Sequence, residues 1–357
     1  MIRPKNHHII AKRRDAVQGL CHLLLPRVSP LSLYMLQMST KEKTKEIDMS
    51  ALILEADFWK TATVEDVTKI LENGADIEAR NENGWTPLHL AAANNEKLEV
   101  ISLLLAKGAN IEARDFSKRT PLHSAVSFSK PEVLAFLLDQ GADIEARDNL
   151  GETPLHWAAH NRKPEIVALL LDRGSDIEAP ANGKETPLHL AVIYESPEVV
   201  NLLLDRGANI KARDQRGETP LHWAAHNRKP EVVTLLLDRG ADIEARDNNE
   251  VTPLHLAAIY NESPEIVALF LDKGADIKAL DHSGETPLHW VAKYNSAQPE
   301  VISLLLGKGA DIDARNKNDK TPFNYVEEDE TLRGTGVYWR LSGYGMVMSP
   351  DFRGDFG

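Results

Sequence analysis

Hydrophobic positions along this chain follow one short pattern many times. In 148–180, a narrow apolar stretch at 155–159 is followed, after a polar gap, by a broader one at 166–171. Pro154 and Pro164 stand at the start of the two stretches. A helix tolerates proline there because its first N–H groups have no partner within the helix. The pattern predicts a short helix, a turn, a longer helix and an extended loop.

The pattern returns at an almost constant interval. Thr-Pro-Leu-His occurs seven times and Thr-Pro-Phe-Asn once, at steps of 33 to 35 residues. The motifs begin at Thr86, Thr120, Thr153, Thr186, Thr219, Thr252, Thr286 and Thr321. A period in this range predicts a solenoid of stacked repeats, which functions through an extended surface more often than through a catalytic cleft.

The repeated unit resembles the ankyrin repeat. The matching parts are the Thr-Pro-Leu-His-x-Ala core, the Leu-Leu-Leu run and the Gly-Ala-Asp-Ile segment before the next turn, and they recur in register over roughly 52–342. The resemblance implies an all-α solenoid of stacked helix-turn-helix units with β-turn or hairpin loops.

The chain divides along these repeats. We expect a basic and then polar N-terminal tail at 1–51, an N-terminal capping repeat at 52–80, a C-terminal capping repeat at 316–342 and a disordered tail at 343–357. Atypical end repeats are expected because their outer faces meet water. The seven full repeats are placed at 81–114, 115–147, 148–180, 181–213, 214–246, 247–280 and 281–315.

Alternate repeats are more alike than neighbouring ones. Residues 147–179 and 213–245 differ at only five of 33 positions. The unit of duplication is therefore two repeats, or 66 residues, and we expect the helix surfaces to alternate accordingly.

The turn between the two helices departs from the family pattern, which commonly has glycine there. Ser129, Arg162, Glu195 and Arg228 occupy this position instead. A residue other than glycine that ends a helix here carries a small backbone penalty. Three repeats also lengthen this turn, near Asn95, Asn261 and 295–297.

Charge and cysteine content narrow the possible partners. The net charge is −13, although the first 37 residues carry six Lys or Arg and one Asp. An acidic solenoid repels phosphate backbones, so we expect no nucleic-acid partner. The only cysteine, Cys21, excludes an intrachain disulfide and favours a reducing, cytoplasmic compartment. We expect a monomer.

The N-terminal segment leaves three interpretations open. The basic start followed by the apolar stretch 20–38 loosely resembles a targeting segment. That stretch contains Pro26, Arg27 and Pro30, so we expect no membrane span. The alternatives are a disordered tail and a start site assigned too far upstream.

The positions of the histidines, tryptophans and carboxylates within the repeats indicate structural roles more than catalytic ones. We expect each motif histidine to tie its repeat to the next by hydrogen bonds. Repeats stacked ~10 Å apart cannot place these histidines on one zinc ion, whose ligands lie ~2 Å away. We read Trp157, Trp223 and Trp290 as mostly core and the Asp-Ile-Glu-Ala carboxylates as a solvated face. With no phosphate loop or nucleophile motif, we expect no enzyme activity, no metal and no cofactor.

The family resemblance places partner binding on the concave face, at the turn tips and the outward positions of the first helices. Two interpretations of the aromatic residues there stay open: a binding strip, which alternating histidines would make pH-sensitive, or packing between repeats. Trp85 and Phe116 are expected to be exposed. The candidate partner-binding residues are Trp85, Phe116, Arg119, Phe128, Leu150, His160, Tyr194, Arg216, His226, Tyr260, Lys293 and Tyr294.

The sequence thus predicts a non-catalytic scaffold that binds a partner protein. The alternative is an adaptor or inhibitor that regulates another enzyme. The repeat consensus also resembles ankyrin proteins of intracellular bacteria, which would make this chain an effector delivered into a host cell.

Overall fold

The structure, a computed structural model, describes residues 49–226, 230–260, 264–294, 299–327, 333 and 336–342. Within these residues every regular element is a helix, and no strand is formed. The expected all-α solenoid is therefore confirmed. Of the tails expected at 1–51 and 343–357, only 49–51 is described, and it belongs to the helix Met49–Leu52; the rest lies outside the described residues.

The helices form a series of pairs, preceded by a single turn of helix at Met49–Leu52. The first helices span Ala56–Thr61, Pro87–Asn94, Pro121–Ser127, Pro154–His160, Pro187–Ile193, Pro220–Ala224, Pro253–Tyr260, Pro287–Tyr294 and Pro322–Glu327. The second helices span Val64–Glu72, Leu98–Ala106, Pro131–Asp139, Pro164–Asp172, Pro197–Asp205, Pro230–Asp238, Pro264–Asp272, Pro299–Gly307 and Gly336–Leu341.

Each helix packs mainly against its neighbours in the stack. First helices contact the first helices of adjacent repeats, second helices contact second helices, and each pair packs internally. Ala158 and Ala159 on the first helix and Ile166, Val167 and Leu170 on the second are fully buried. Alanine lets the first helices approach closely, while the larger residues fill the space between the two layers.

The Thr-Pro-Leu-His motif caps the first helix and joins it to the next repeat. The backbone N–H of Thr153 donates to Nδ1 of His156 at 3.1 Å, and the Thr153 hydroxyl lies 2.9 Å from the same nitrogen. Nε2 of His156 lies 3.1 Å from the carbonyl oxygen of Glu185 in the following repeat. Because Nδ1 accepts from a backbone N–H, Nε2 carries the proton and donates to that carbonyl.

The same arrangement occurs at all seven motifs. Each histidine is fully buried, and its Nε2 lies 3.0 to 3.4 Å from a carbonyl of the next repeat. The predicted inter-repeat role of the histidines is confirmed. In the last copy, Asn324 keeps the cap by accepting from the Thr321 N–H at 2.9 Å.

The loop aspartates are exposed to solvent, as expected, while the half-buried loop glutamates also join neighbouring repeats. Oε1 of Glu145 accepts a hydrogen bond from the backbone N–H of Asp176 in the next repeat at 2.8 Å. The sequence pattern could not reveal this bond, because it depends on how adjacent loops are offset. Equivalent bonds join Glu78 to Asn110, Glu112 to Asp143, Glu178 to Asn209 and Glu244 to Asp276.

The turns that lack glycine adopt the conformation that glycine favours. Ser129, Arg162 and Glu195 have φ of 54°, 57° and 55°, in the left-handed region. The expected backbone penalty therefore applies at these three residues, and Arg228 lies outside the described residues. Of the longer turns, the one at Asn95 is described. Its buried side chain donates to the Ala62 carbonyl at 3.1 Å, and the other two lie outside the described residues.

Candidate partner-binding surface

The tips of the turns form a continuous line along the stack. The backbone N–H of Asn149 donates to the carbonyl of Ser117 at 2.9 Å, and that of Asn182 to the carbonyl of Leu150 at 2.9 Å. Such bonds continue from 83 to 317. We call these tips and the outward ends of the first helices the first-helix surface.

Phe116 stands out on one of these tips, with 69% of its surface exposed. It lies over Gly84 of the preceding tip, whose φ is 77°. A Cβ atom on Gly84 would come within 2.8 Å of the Phe116 ring, so this contact requires glycine. The expected exposure of Phe116 is confirmed.

The tryptophans line the first-helix surface instead of filling the core. Trp157, Trp223 and Trp290 are half-buried and pack on core residues along one side. Because the indole N–H is polar, each ring turns that group toward a carboxylate in its own turn. The acceptors are Asp148 at 3.2 Å, Asp214 at 3.2 Å and Asp281 at 2.9 Å. The expectation that these rings are mostly core was therefore wrong.

Trp85 also differs from its predicted exposure. It is half-buried, and its indole N–H donates to Asp115 at 3.1 Å. Its ring lies 6.1 Å from that of Phe128 in an edge-to-face arrangement. Neighbouring repeats thus cover part of a ring that register alone would leave in solvent.

Two equivalent aromatic clusters lie 66 residues apart. In the Trp157 cluster, formed by Trp157, His160 and Tyr194, the His160 and Tyr194 rings stack with centroids 3.8 Å apart. In the second cluster, His226 and Tyr260 form the corresponding stack with centroids 4.0 Å apart, and Trp223 stands three residues before His226 as Trp157 does before His160. The two-repeat duplication has therefore placed the same histidine–tyrosine stack at two points along the chain.

The rings of the aromatic row pack against neighbouring side chains, and three of them also keep exposed area; their binding role stays a prediction. Tyr194 is half-buried against its neighbours. Phe128, Tyr260 and Tyr294 keep 48%, 44% and 59% of their surface exposed, although each also contacts another ring. Partly exposed rings held by neighbouring side chains are typical of binding surfaces.

Five overlapping matches to the family model described as ankyrin repeats (3 copies) cover 59–148, 145–214, 179–247, 210–281 and 254–326. The chain belongs to the ankyrin-repeat family. Among solved structures, it is similar to the crystal structure of the ankyrin repeat domain of Bcl-3, described as a unique member of the IkappaB protein family. The two are 32% identical with a TM-score of 0.51, over 60% of this chain and 97% of that one. No match is found among curated proteins.

At both ends of the ankyrin first-helix surface, the chain's own cations lie over aromatic rings. The Arg119 guanidinium lies 5.8 Å from the Trp85 ring centre and 5.5 Å from that of Trp157. Asp115, which is buried, holds it at 2.7 Å. A cation near an aromatic face is attracted by the ring's quadrupole. Arg119, a predicted binding residue, is therefore also a structural one.

Lys293 has a similar setting at the C-terminal end. Its Nζ lies 3.0 Å from Oε2 of Glu285, 5.0 Å from the Tyr294 ring centre and 5.3 Å from that of Tyr325. Burial lowers the pKa of Lys293, but hydrogen bonds and charge interactions with Glu285 and Tyr294 together outweigh it and raise the pKa above its ordinary value. Tyr325, which also donates to Glu285, has its pKa raised to about 12 by burial and by this bond.

Sequence reasoning missed Glu218, a buried acid in the middle of the surface. Burial raises its pKa to about 7, and the charges of Asp214 and Asp247 add to the effect. Arg216 opposes the rise, with its Nη2 at 2.6 Å from Oε2 of Glu218. The Arg216 side chain is 65% exposed, so solvent weakens this pairing. The sequence does contain a signal for this position, because a glutamate directly precedes the motif threonine in several repeats.

The remaining predicted residues lie on the same surface. Leu150 and Arg216 are exposed on turn tips, and His160 and His226 are half-buried within the two clusters. The ankyrin stack thus brings the predicted residues onto one side, as a row spread over several repeats.

Two other features of the described chain bear on its chemistry. No group of three or more His, Cys, Asp or Glu side chains in the described residues is placed to hold a metal ion. No helix in that part of the chain is long and apolar enough to cross a membrane.

Proposed function

We propose that this ankyrin-repeat chain is a non-catalytic scaffold that binds a partner protein on a concave first-helix surface. The observation that carries the proposal is the row of partly exposed aromatic rings, Phe128, Tyr260 and Tyr294, on one side of the stack. Exposed rings bring large contact area with little loss of side-chain freedom, and aromatic residues are enriched among binding hot spots. The proposed contact residues are Trp85, Phe116, Arg119, Phe128, Leu150, His160, Tyr194, Arg216, His226, Tyr260, Lys293 and Tyr294.

Several further assignments belong to the same proposal. The repeat boundaries that begin at 52, the monomeric state and the cytoplasmic compartment are proposed from the sequence. A protein partner is favoured over a nucleic acid because the net charge of −13 opposes approach of phosphate groups.

Tyr260 provides the direct test of the surface. We expect Tyr260→Ala to weaken partner binding by about 1–3 kcal/mol, because the exposed part of the ring is available to a partner. We expect a smaller loss of stability, since an exposed ring contributes less buried area than a core residue. Affinity for the captured partner and the melting temperature are measured on the same protein.

Capture of the partner uses a photo-crosslinking residue at position 260 of the full chain, in the cells that naturally contain it. Position 165, exposed on a second helix, serves as the matched control. Crosslinks from 260 and none from 165 support the proposal. Unchanged affinity of Tyr260→Ala with a large fall in melting temperature would instead make the aromatic row a packing feature.

A further inference from the structure

The middle of the first-helix surface is strongly acidic at its turn tips. The five tips 148–152, 181–185, 214–218, 247–251 and 281–285 together carry nine carboxylates and only two cations, Lys184 and Arg216. The carboxylates are Asp148, Glu152, Glu185, Asp214, Glu218, Asp247, Glu250, Asp281 and Glu285. The tips on either side, 115–119 and 316–320, each carry two cations and one carboxylate. Four cations outside these ranges also reach the tips: Arg147 and Arg213 donate to the carbonyls of Gly151 and Gly217, and Arg246 and Lys293 pair with Glu250 and Glu285. Carboxylates remain in excess, so the centre of the surface attracts cations.

One pair of positions in this acidic region has an internal counterpart. Glu185 and Trp223 stand 66 residues after Arg119 and Trp157. In the earlier pair, the guanidinium of Arg119 lies 5.5 Å from the Trp157 ring centre. In the later pair, a carboxylate replaces the guanidinium. Among the described residues, neither lysine nor arginine lies over the Trp223 ring.

The Glu185 side chain does not take the place of that guanidinium. Its carboxylate lies over Gly183 in its own turn, where a Cβ atom on the glycine would be 2.2 Å from Oε1. By register, Glu185 stands at the turn position that Arg119 occupies one 66-residue unit earlier. A cation at the equivalent place would approach the Trp223 ring from the turn that carries Glu185.

Carboxylates also border the Trp223 ring on its own repeat. The indole N–H donates to Asp214 at 3.2 Å, and one side of the ring packs against the buried His189 at 5.4 Å between centroids. Glu218, buried in the same turn, has its pKa raised to about 7 by burial. Arg216 already lies 2.6 Å from its Oε2 but is 65% exposed, and a further cation close by would add to the stabilisation of the ionised form.

We propose that Trp223, together with Glu185 and Glu218, binds an arginine or lysine side chain of the partner, in the manner of Arg119 beside Trp157. A basic, extended segment of the partner then lies along the acidic turn tips. Cation–π attraction and charge-assisted hydrogen bonds to carboxylates are the physical basis. A second copy of this chain is a poor occupant because its net charge is −13. This inference rests on the proposed function and names the chemistry of the partner.

The probe is a short fluorescent peptide with arginine at alternate positions, compared with the same peptide carrying glutamate instead. Fluorescence anisotropy with the full chain is expected to show binding of the arginine peptide alone. We expect Glu185→Arg to weaken that binding about tenfold, because the new arginine competes for the Trp223 ring. Arginine already stands at the equivalent position 119, so the substitution suits the fold.

Two further variants keep the test specific. Glu165→Arg makes the same change in charge on a second helix and is expected to leave affinity nearly unchanged. Trp223→Leu removes the ring and introduces the residue that stands one repeat away at Leu190 and Leu256. It is expected to weaken binding with little change in the circular-dichroism spectrum.

The outcomes separate three explanations. Failure of the arginine peptide to bind, or equal losses in Glu185→Arg and Glu165→Arg, overturns the cation site. A third variant changes the basic residues of the chain's own N-terminal segment to glutamine: Arg3, Lys5, Lys12, Arg13 and Arg14. If this variant binds the arginine peptide more tightly, the N-terminal segment competes for the site, and the assignment to a partner is overturned. If a protein partner crosslinks at position 260 but Glu185→Arg does not change peptide binding, the scaffold function is supported and the cation site is overturned.

Discussion

At the scale of single residues, the turn between the paired helices shows sequence and backbone in conflict. Ser129, Arg162 and Glu195 hold positive φ in a position where glycine would be relaxed. A side chain in the left-handed region brings Cβ close to the following carbonyl oxygen, which costs about 1–2 kcal/mol per residue. The stacked repeats on either side determine the path of the turn and thereby maintain this conformation.

Replacing Arg162 with glycine is therefore expected to stabilise the protein by about 1 kcal/mol. The gain is partly offset by the greater freedom of glycine in the unfolded chain. Urea unfolding measures the effect. The control is Arg162→Ala, which removes the same exposed charge but keeps a Cβ atom. An equal gain from alanine would show that charge, not backbone strain, is responsible.

At the scale of elements, the repeats are joined by bonds that recur at each step. The motif histidine reaches the next turn, and the loop glutamate reaches the next loop. The hydrogen bond between loops is not formed where lysine replaces the loop glutamate. At Lys211 the side chain cannot accept a hydrogen bond, and among the described residues no side chain accepts from the Asp242 N–H.

We expect Lys211→Glu to restore the missing link between these loops. A carboxylate at 211 would accept from the backbone N–H of Asp242, as Glu178 does from Asn209 at 2.7 Å. The expected gain in the free energy of unfolding is about 0.5–1.5 kcal/mol, the net value of one such bond. Lys211→Ala, which removes the positive charge without supplying an acceptor, is the control. Equal stability of the two variants would contradict the prediction.

At the scale of the whole molecule, the buried histidines make stability depend on pH. Burial lowers the pKa of His123, His156, His189 and His255 to about 4, and lowers the pKa of the other three motif histidines. In the unfolded chain the value is about 6.5. Between these values the unfolded chain binds more protons, so acid favours unfolding.

The urea midpoint is therefore expected to be highest above pH ~6.5 and to fall steeply as pH falls toward ~4. Each histidine contributes a slope of up to about 1.4 kcal/mol per pH unit within that window. Glu218 opposes the trend, since a raised carboxyl pKa favours the folded state in acid. His222→Gln keeps a neutral side chain that is able to cap the helix. It should reduce the dependence of the unfolding free energy on pH by the contribution of one proton, up to about 1.4 kcal/mol per pH unit. Equal stability at pH 7 and pH 5 would rule out this account.

The stacking of helix pairs also predicts the dimensions of the molecule. With about nine units at ~10 Å each, we expect a curved rod on the order of 80–90 Å long. Small-angle X-ray scattering should give a pair-distance distribution with a long tail. A symmetric distribution, typical of a sphere, would contradict the stacked arrangement.

The sequence by itself determined the helices, the caps and the order of the repeats. Those features depend on local spacing: proline at the first helical position, histidine three residues after the capping threonine, and apolar residues at helical period. It also indicated which residues share one surface, because equivalent positions of stacked repeats must lie in a row.

Only the tertiary structure decided how those residues meet. Two contacts join side chains of different repeats: the stacking of His226 on Tyr260 and the hydrogen bond that Glu145 accepts from the next loop. The burial of Trp85 and Glu218 depends on the neighbours that cover them. Such contacts span about 30 residues and depend on the rotation and offset between repeats. A periodic sequence defines each unit well, whereas the packing of one unit on the next determines which side chains reach solvent.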